Sequence, residues 1–132
     1  MVEIRKQQDL VIVPPNVKPR PEAHELRVAR ILARYFDTSV EFIPRSNVRT
    51  ADLHIDGITW EIKSPTGSGK NNIQHQMQDA SHQSANVIID ASRSKMHGLK
   101  IKSQVAHQFK IIKTLKRVIF ISKQGIVFEL QR

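Results

Sequence analysis

The chain has 132 residues, no cysteine, a formal net charge of +9 and a sequence pI near 10.3. That length suits one domain with a real core, and the lack of cysteine excludes structural disulfides, thiol catalysis and cysteine-based zinc sites. The apolar run near the N-terminus is too short for a signal peptide, and no segment approaches the ~20 apolar residues that span a bilayer. A cytoplasmic setting with no membrane partner is therefore expected.

Residues 1–20 carry Pro14, Pro15 and Pro19 and are expected as an extended arm, with 21–132 as the folded domain. Pro21 suits the first helical position, and Glu22 and Glu25 favour the positive end of the helix. Leu26, Ala29, Leu32, Ala33 and Phe36 keep helical spacing. Residues 40–43 predict a strand stopped by Pro44. Residues 51–63 predict two strands about Asp56-Gly57, a strong two-residue hairpin signal. A Gly/Ser/Pro loop follows over 64–70, then a rather polar helix from 71 to about 84 with Ile73 and Met77 four apart. Residues 86–90 read as a strand buried on both faces, and 100–115 as a further long helix. Residues 117–122 and 126–130 form a closing hairpin over Gln124-Gly125. The order predicts a mixed α+β (α/β) fold, a central mixed sheet flanked by helices.

The first hairpin carries the chemistry. With Asp56 and Gly57 as its loop, Ile55 faces Ile58 and Asp52 faces Glu61. One face then gathers Leu53, Ile55, Ile58, Trp60 and Ile62, a core face. The other gathers Asp52, His54, Thr59, Glu61 and Lys63 and is expected to meet solvent. Opposed residues have Cβ atoms about 4.5–5.5 Å apart, so two facing carboxylates need a cation, a shared proton or water. A hard divalent ion answers that need, since Mg²⁺ is held by one or two carboxylates together with phosphate oxygens and waters. Lys63 projects from the same face roughly 6–7 Å beyond Glu61. There it can position an attacking water and offset charge developing on a phosphate. The plain alternative is a solvated strand face on which Glu-x-Lys occurs by chance.

Between Asp90 and Glu129 the sequence holds nine Lys and Arg residues and no acid. A field of one sign concentrates polyanions, which makes nucleic acid the expected partner. Arg93 and Lys95 follow the 86–90 strand and are candidate phosphate contacts, as are Lys70 and the Gln74/Gln78 pair. The Gly-Ser-Gly-Lys string does not make a P-loop: Ser64 stands where glycine is required and Asn71 where a hydroxyl is required. Trp60 on the core face and Tyr35 in a helix form no stacking platform, so affinity is expected to come mainly from charge. His75 and His82 are seven apart, too far for the usual zinc pair, and His54 is expected as a solvated strand residue.

Asp52 followed by Glu61-Ile62-Lys63 after a hairpin resembles the motif of the PD-(D/E)XK nuclease superfamily, with Ala51 where the motif has proline. The resemblance implies a restriction-endonuclease-like core and a divalent metal, Mg²⁺ or another such as Mn²⁺. It implies that Asp52, Glu61 and the Ile62 backbone carbonyl hold the metal, that Lys63 is catalytic, and that an acid on the first helix joins the site. Glu25 is the counterpart, since it shares a helical face with Ala29, Leu32 and Phe36; its other reading is a partner of the helix dipole. The longer string Glu25-Leu26-Arg27, Val40-Glu41-Phe42-Ile43-Pro44, Ala51-Asp52 and Trp60-Glu61-Ile62-Lys63-Ser64-Pro65-Thr66-Gly67 is similar to the C-terminal toxin domains of CdiA-type contact-dependent growth-inhibition proteins. Those domains are typically tRNA nucleases. The likeness runs from about Glu22 to Asp90 and implies tRNA as substrate, Thr66 beside it, and a cognate immunity protein as partner. Methionine at position 1 and the lack of a delivery module are expected of a stand-alone relative. A DNA-cleaving enzyme of restriction or repair type and a non-catalytic nucleic-acid-binding module are the alternatives.

Overall fold

The computed structural model describes residues 10–45 and 50–132, and among them it holds three helices and seven strands, the mixed α+β class expected. The chain divides into two units, Met1–Thr59 and Trp60–Arg132.

In the first unit, β1 (Val11–Ile12) runs parallel to β2 (Val40–Phe42), which pairs antiparallel with β3 (Leu53–Ile55). Helix α1 (Ala23–Phe36) packs on β1 and β2 and buries Val28, Ala29, Leu32 and Ala33, the i, i+1, i+4, i+5 stripe of an amphipathic helix. Two sequence expectations change here. Residues 10–20 of the expected arm are not an extended appendage: Leu10 and Val17 are buried and β1 joins the sheet. Leu10 and Val17 outweigh the nearby prolines, because burying these two side chains, together with the pairing of β1 with β2, offsets the ordering of the segment. Residues 1–9 of that arm lie outside the described residues. Pro21 is not the first helical residue; Glu22 is the N-cap, and its backbone N–H donates to Glu25 Oε1 at 2.9 Å. That reciprocal bond fixes the helix start one turn before Leu26.

Asp56 and Gly57 follow β3, and both have positive φ, 48° and 80°. A two-residue type I′ turn requires that conformation at both positions, and this is why Asp-Gly stands there. Strand β4 (Ile58–Lys63) leaves the turn.

In the second unit β4, β5 (Asn86–Asp90) and β6 (Arg117–Ile121) are parallel, and β7 (Val127–Gln131) closes antiparallel on β6. Helices α2 (Asn72–Ser81) and α3 (Gly98–Ile111) pack on β5 and β6 and on each other. Their buried residues Ile73, Met77, Ile101 and Val105 form one core cluster with Val87, Ile89, Val118 and Phe120. Strand β5 is apolar at every central position because parallel strands are covered on both faces. Both helices end earlier than their sequence periodicity suggests, at Ser81 and Ile111. No helix among the described residues is long and apolar enough to cross a membrane.

Candidate active site

Strand β4 delivers the two central residues of the second unit. Across the parallel ladder Glu61 pairs with Val87 and Lys63 with Ile89, and laterally paired side chains share a face. Glu61 and Lys63 therefore lie on the side of the sheet that α2 covers. This revises the wet face expected of the hairpin. His54 and Thr59 are exposed, whereas Glu61 is 6% exposed. Trp60, on the opposite side as expected, is 1% exposed, and the Arg117 guanidinium lies 4.9 Å from its ring centroid.

Burial of a carboxylate demands a partner. The Lys63 ammonium lies 3.7 Å from Glu61 Oε2 and donates to Asp79 Oδ2 of α2 at 2.5 Å. One ammonium thus stands between two carboxylates, one buried and one 46% exposed. Sequence reading missed Asp79. The available signal was scarcity: residues 60–132 hold only Glu61, Asp79, Asp90 and Glu129 as acids. Each has a cation or hydroxyl partner in the fold. Glu129 accepts from Arg117 at 2.7 Å, and buried Asp90 accepts from Ser64 Oγ, Ser92 Oγ and the Ser92 backbone N–H. Asp90 was also missed as more than a strand end; it ties the carboxyl ends of β4 and β5 together.

The expected substrate contacts gather beside that edge. Thr66 and Lys70 are exposed in the loop after β4, and Arg93 and Lys95 are exposed in the loop after β5. Ser94 Oγ donates to Gly67 O at 3.3 Å and joins the two loops. Gln74 lies in the first turn of α2 and is half-buried, while Gln78 is exposed. The side chain of Ile62 points away from Glu61 and Lys63, and its backbone sits in the β4–β5 ladder opposite Ile88.

In the first unit, Glu25 and Asp52 line one small cleft with Phe42, Ile43 and Arg45. Glu25 stands in the first turn of α1. It closes the capping box of α1, and its other oxygen lies 3.4 Å from Arg45 Nη2 with the side chain 15% exposed. Asp52 is half-buried, and its backbone carbonyl accepts from Ile43 N at 2.9 Å, extending the β2–β3 ladder.

Charge is divided unequally. Residues 60–132 carry twelve Lys and Arg against four acids, so eight of the nine net positive charges belong to the second unit. The carboxylates of Glu61, Asp79, Glu25 and Asp52 are hard oxygen donors of the kind that suits Mg²⁺ or Mn²⁺, and in the first unit Glu22, His24 and Glu25 bring one imidazole and two carboxylates within 4.8 Å of one another.

Fold and site define a basic α+β domain in which a lysine is held between two carboxylates beside exposed cationic loops. Residues 49–127 match the model of the contact-dependent growth inhibition CdiA C-terminal domain, and the chain belongs to that family. A chain of the CdiA-CT/CdiI toxin and immunity complex from Burkholderia pseudomallei is similar in fold, with a TM-score of 0.62 and 19% identity over 92% of this chain and 98% of that one. Among curated proteins none matches.

Proposed function

We propose that this CdiA-type C-terminal domain is a metal-dependent endonuclease of the PD-(D/E)XK kind that hydrolyses RNA phosphodiester bonds, with tRNA as the substrate. The observation that carries the reading is the Lys63 ammonium held between Glu61 and Asp79 at the carboxyl end of β4, in the unit that holds the charge excess.

Asp52, Glu61 and the Ile62 carbonyl, joined by Glu25, would hold Mg²⁺ or Mn²⁺. Such an ion supplies Lewis-acid polarisation of the phosphate and a more acidic bound water. Lys63 orients the attacking water and offsets the negative charge that builds on the phosphoryl oxygens. Asp79 is a positioning residue: its carboxylate fixes the lysine stem, so little reorientation is needed during reaction. Thr66, Lys70, Gln74, Arg93 and Lys95 hold the substrate backbone. A cognate immunity protein is the expected inhibitor, because the Burkholderia pseudomallei relative is a toxin and immunity complex.

Parallel incubation with tRNA and duplex DNA, in Mg²⁺ and then with chelator, tests the proposal. Cleavage of tRNA that stops on chelation is expected. Cleavage of DNA alone would reassign the substrate. Salt-sensitive binding without cleavage in any divalent metal would make the protein a binding module.

Two smaller effects follow from the same reading. Asp79→Asn keeps a hydrogen-bond acceptor for Lys63, and cleavage in single-turnover assays is expected to fall by less than the roughly 10²–10⁴-fold that loss of a proton-transferring group costs. A loss equal to that of a Lys63 variant would place Asp79 among the reacting groups instead. Arg93→Ala is expected to weaken RNA binding evenly across sequences and to lower the slope of log K against log salt by about 0.7 on a single strand. Titrations at several salt concentrations measure that slope.

A further inference from the structure

A second concavity lies at the same edge of the second unit. Strands β4, β5 and β6 are parallel, so their carboxyl ends share one edge, and open α/β sheets take ligands outside such ends. Asp90, bonded to Ser64, pairs with Ile121, and Ser122 follows at the wall of this pocket. At roughly 4.8 Å per strand, the pocket begins on the order of 10 Å from the loop after β4. Its volume is about 370 Å³, bounded by the start of α3 and the β6–β7 hairpin.

The lining has two characters. Leu99, Ile126 and Phe128 are 72%, 56% and 38% exposed, an apolar surface that folding leaves in water. Lys102, Lys123 and His97 stand around it, and none of the lining residues is acidic. An apolar patch alone suits a protein side chain as well as a base. The cations decide between them, because a flat apolar group joined to a phosphate matches both characters at once. Lys102 Nζ lies over the Phe128 ring, 3.4 Å from its centroid, so a base that stacks on that face takes the place of the ammonium, whose flexible stem lets it swing out to the phosphate of the same nucleotide.

We propose that this pocket binds one nucleotide of a single-stranded stretch of the nucleic-acid substrate, its base against Leu99, Ile126 and Phe128 and its phosphate at Lys102 and Lys123. The inference rests on the nuclease reading for its ligand, and it assigns a base-holding subsite separate from the reacting groups. Phe128 then supplies the aromatic contact that neither Trp60 nor Tyr35 provides. Sequence-tolerant binding of single strands commonly combines a cationic groove with such a ring.

Binding of a labelled single-stranded oligoribonucleotide by the full chain in chelator, followed by fluorescence anisotropy, tests the subsite. Phe128→Ala is expected to weaken binding roughly 5- to 150-fold, the range for loss of one base stack. Leu99→Ser, at a position already in water, is expected to weaken it by a smaller factor with the fold unchanged. An oligonucleotide made abasic at one position should lose affinity with the wild type and lose little more with Phe128→Ala. Wild-type affinity in both variants overturns the proposal, and so does a loss indifferent to which base is removed. Cleavage of tRNA by the wild type, measured separately, divides the two readings. Cleavage without base-dependent binding sinks the subsite alone, and base-dependent binding without cleavage in any metal sinks the nuclease alone.

Discussion

Lys63→Ala is expected to lower tRNA cleavage by at least about 10²–10³-fold, the cost of removing one preorganised group that stabilises transition-state charge. Single-turnover kinetics at saturating RNA measure it, because the interaction is made with the transition state and the loss belongs in the rate rather than in binding. The fold should persist. Lys63 is 20% exposed and Asp79 is 46% exposed in their side chains, so water can solvate the orphaned Asp79 carboxylate. A partly exposed ion pair of this kind contributes about 1 kcal/mol or less. Glu61, nearly buried, loses a neighbour at 3.7 Å, and a modest fall in Tm is the expected consequence. Asp52→Ala is expected to abolish cleavage as well, through loss of a carboxylate proposed to hold the metal. Full activity in both variants would refute the assignment of these residues.

Trp60→Ala is expected to be the costliest single truncation for stability, at about 3–5 kcal/mol. The ring is 1% exposed, one of the largest fully buried side chains, and it carries the Arg117 guanidinium on its face. Truncation leaves a cavity, and it also strips a contact from the arginine that pairs with Glu129. Equilibrium urea unfolding would show the loss as a shifted midpoint at unchanged slope. A loss under 1 kcal/mol would mean that the surrounding side chains collapse into the space. Trp60 and Lys63 lie three residues apart on one strand, so the pair also separates roles: the first should change stability far more than chemistry, the second the reverse.

Much of this contrast is legible in the chain itself. Asp56-Gly57 declares a type I′ turn, and the alternation from Leu53 to Lys63 assigns Trp60 and Lys63 to opposite faces. The absence of acids between Asp90 and Glu129 puts the basic surface in the second half. Each of these signals is local, within a few residues of the feature it predicts, and backbone dihedral preferences and period-2 burial act at that range. The prolines of the N-terminal segment misled for the same reason. They speak about local chain direction, whereas the burial of Leu10 and Val17 depends on β2 and α1 further along.

The amino-acid sequence by itself determined the hairpin at 56–57, the face of each of its side chains, the Glu61-Ile62-Lys63 motif, and the sign and place of the charge excess. Only the tertiary structure decided how wet the motif is and what surrounds it. Parallel pairing with β5 carries Glu61 and Lys63 beneath α2, Asp79 arrives from sixteen residues away to take the lysine, and Asp90 from twenty-six to take Ser64. Such partners are chosen by which elements pack together to bury the apolar faces of α2, β5 and α3. No short-range pattern around Lys63 encodes that choice, because the free energy behind it comes from the shared core rather than from the strand on which the lysine sits.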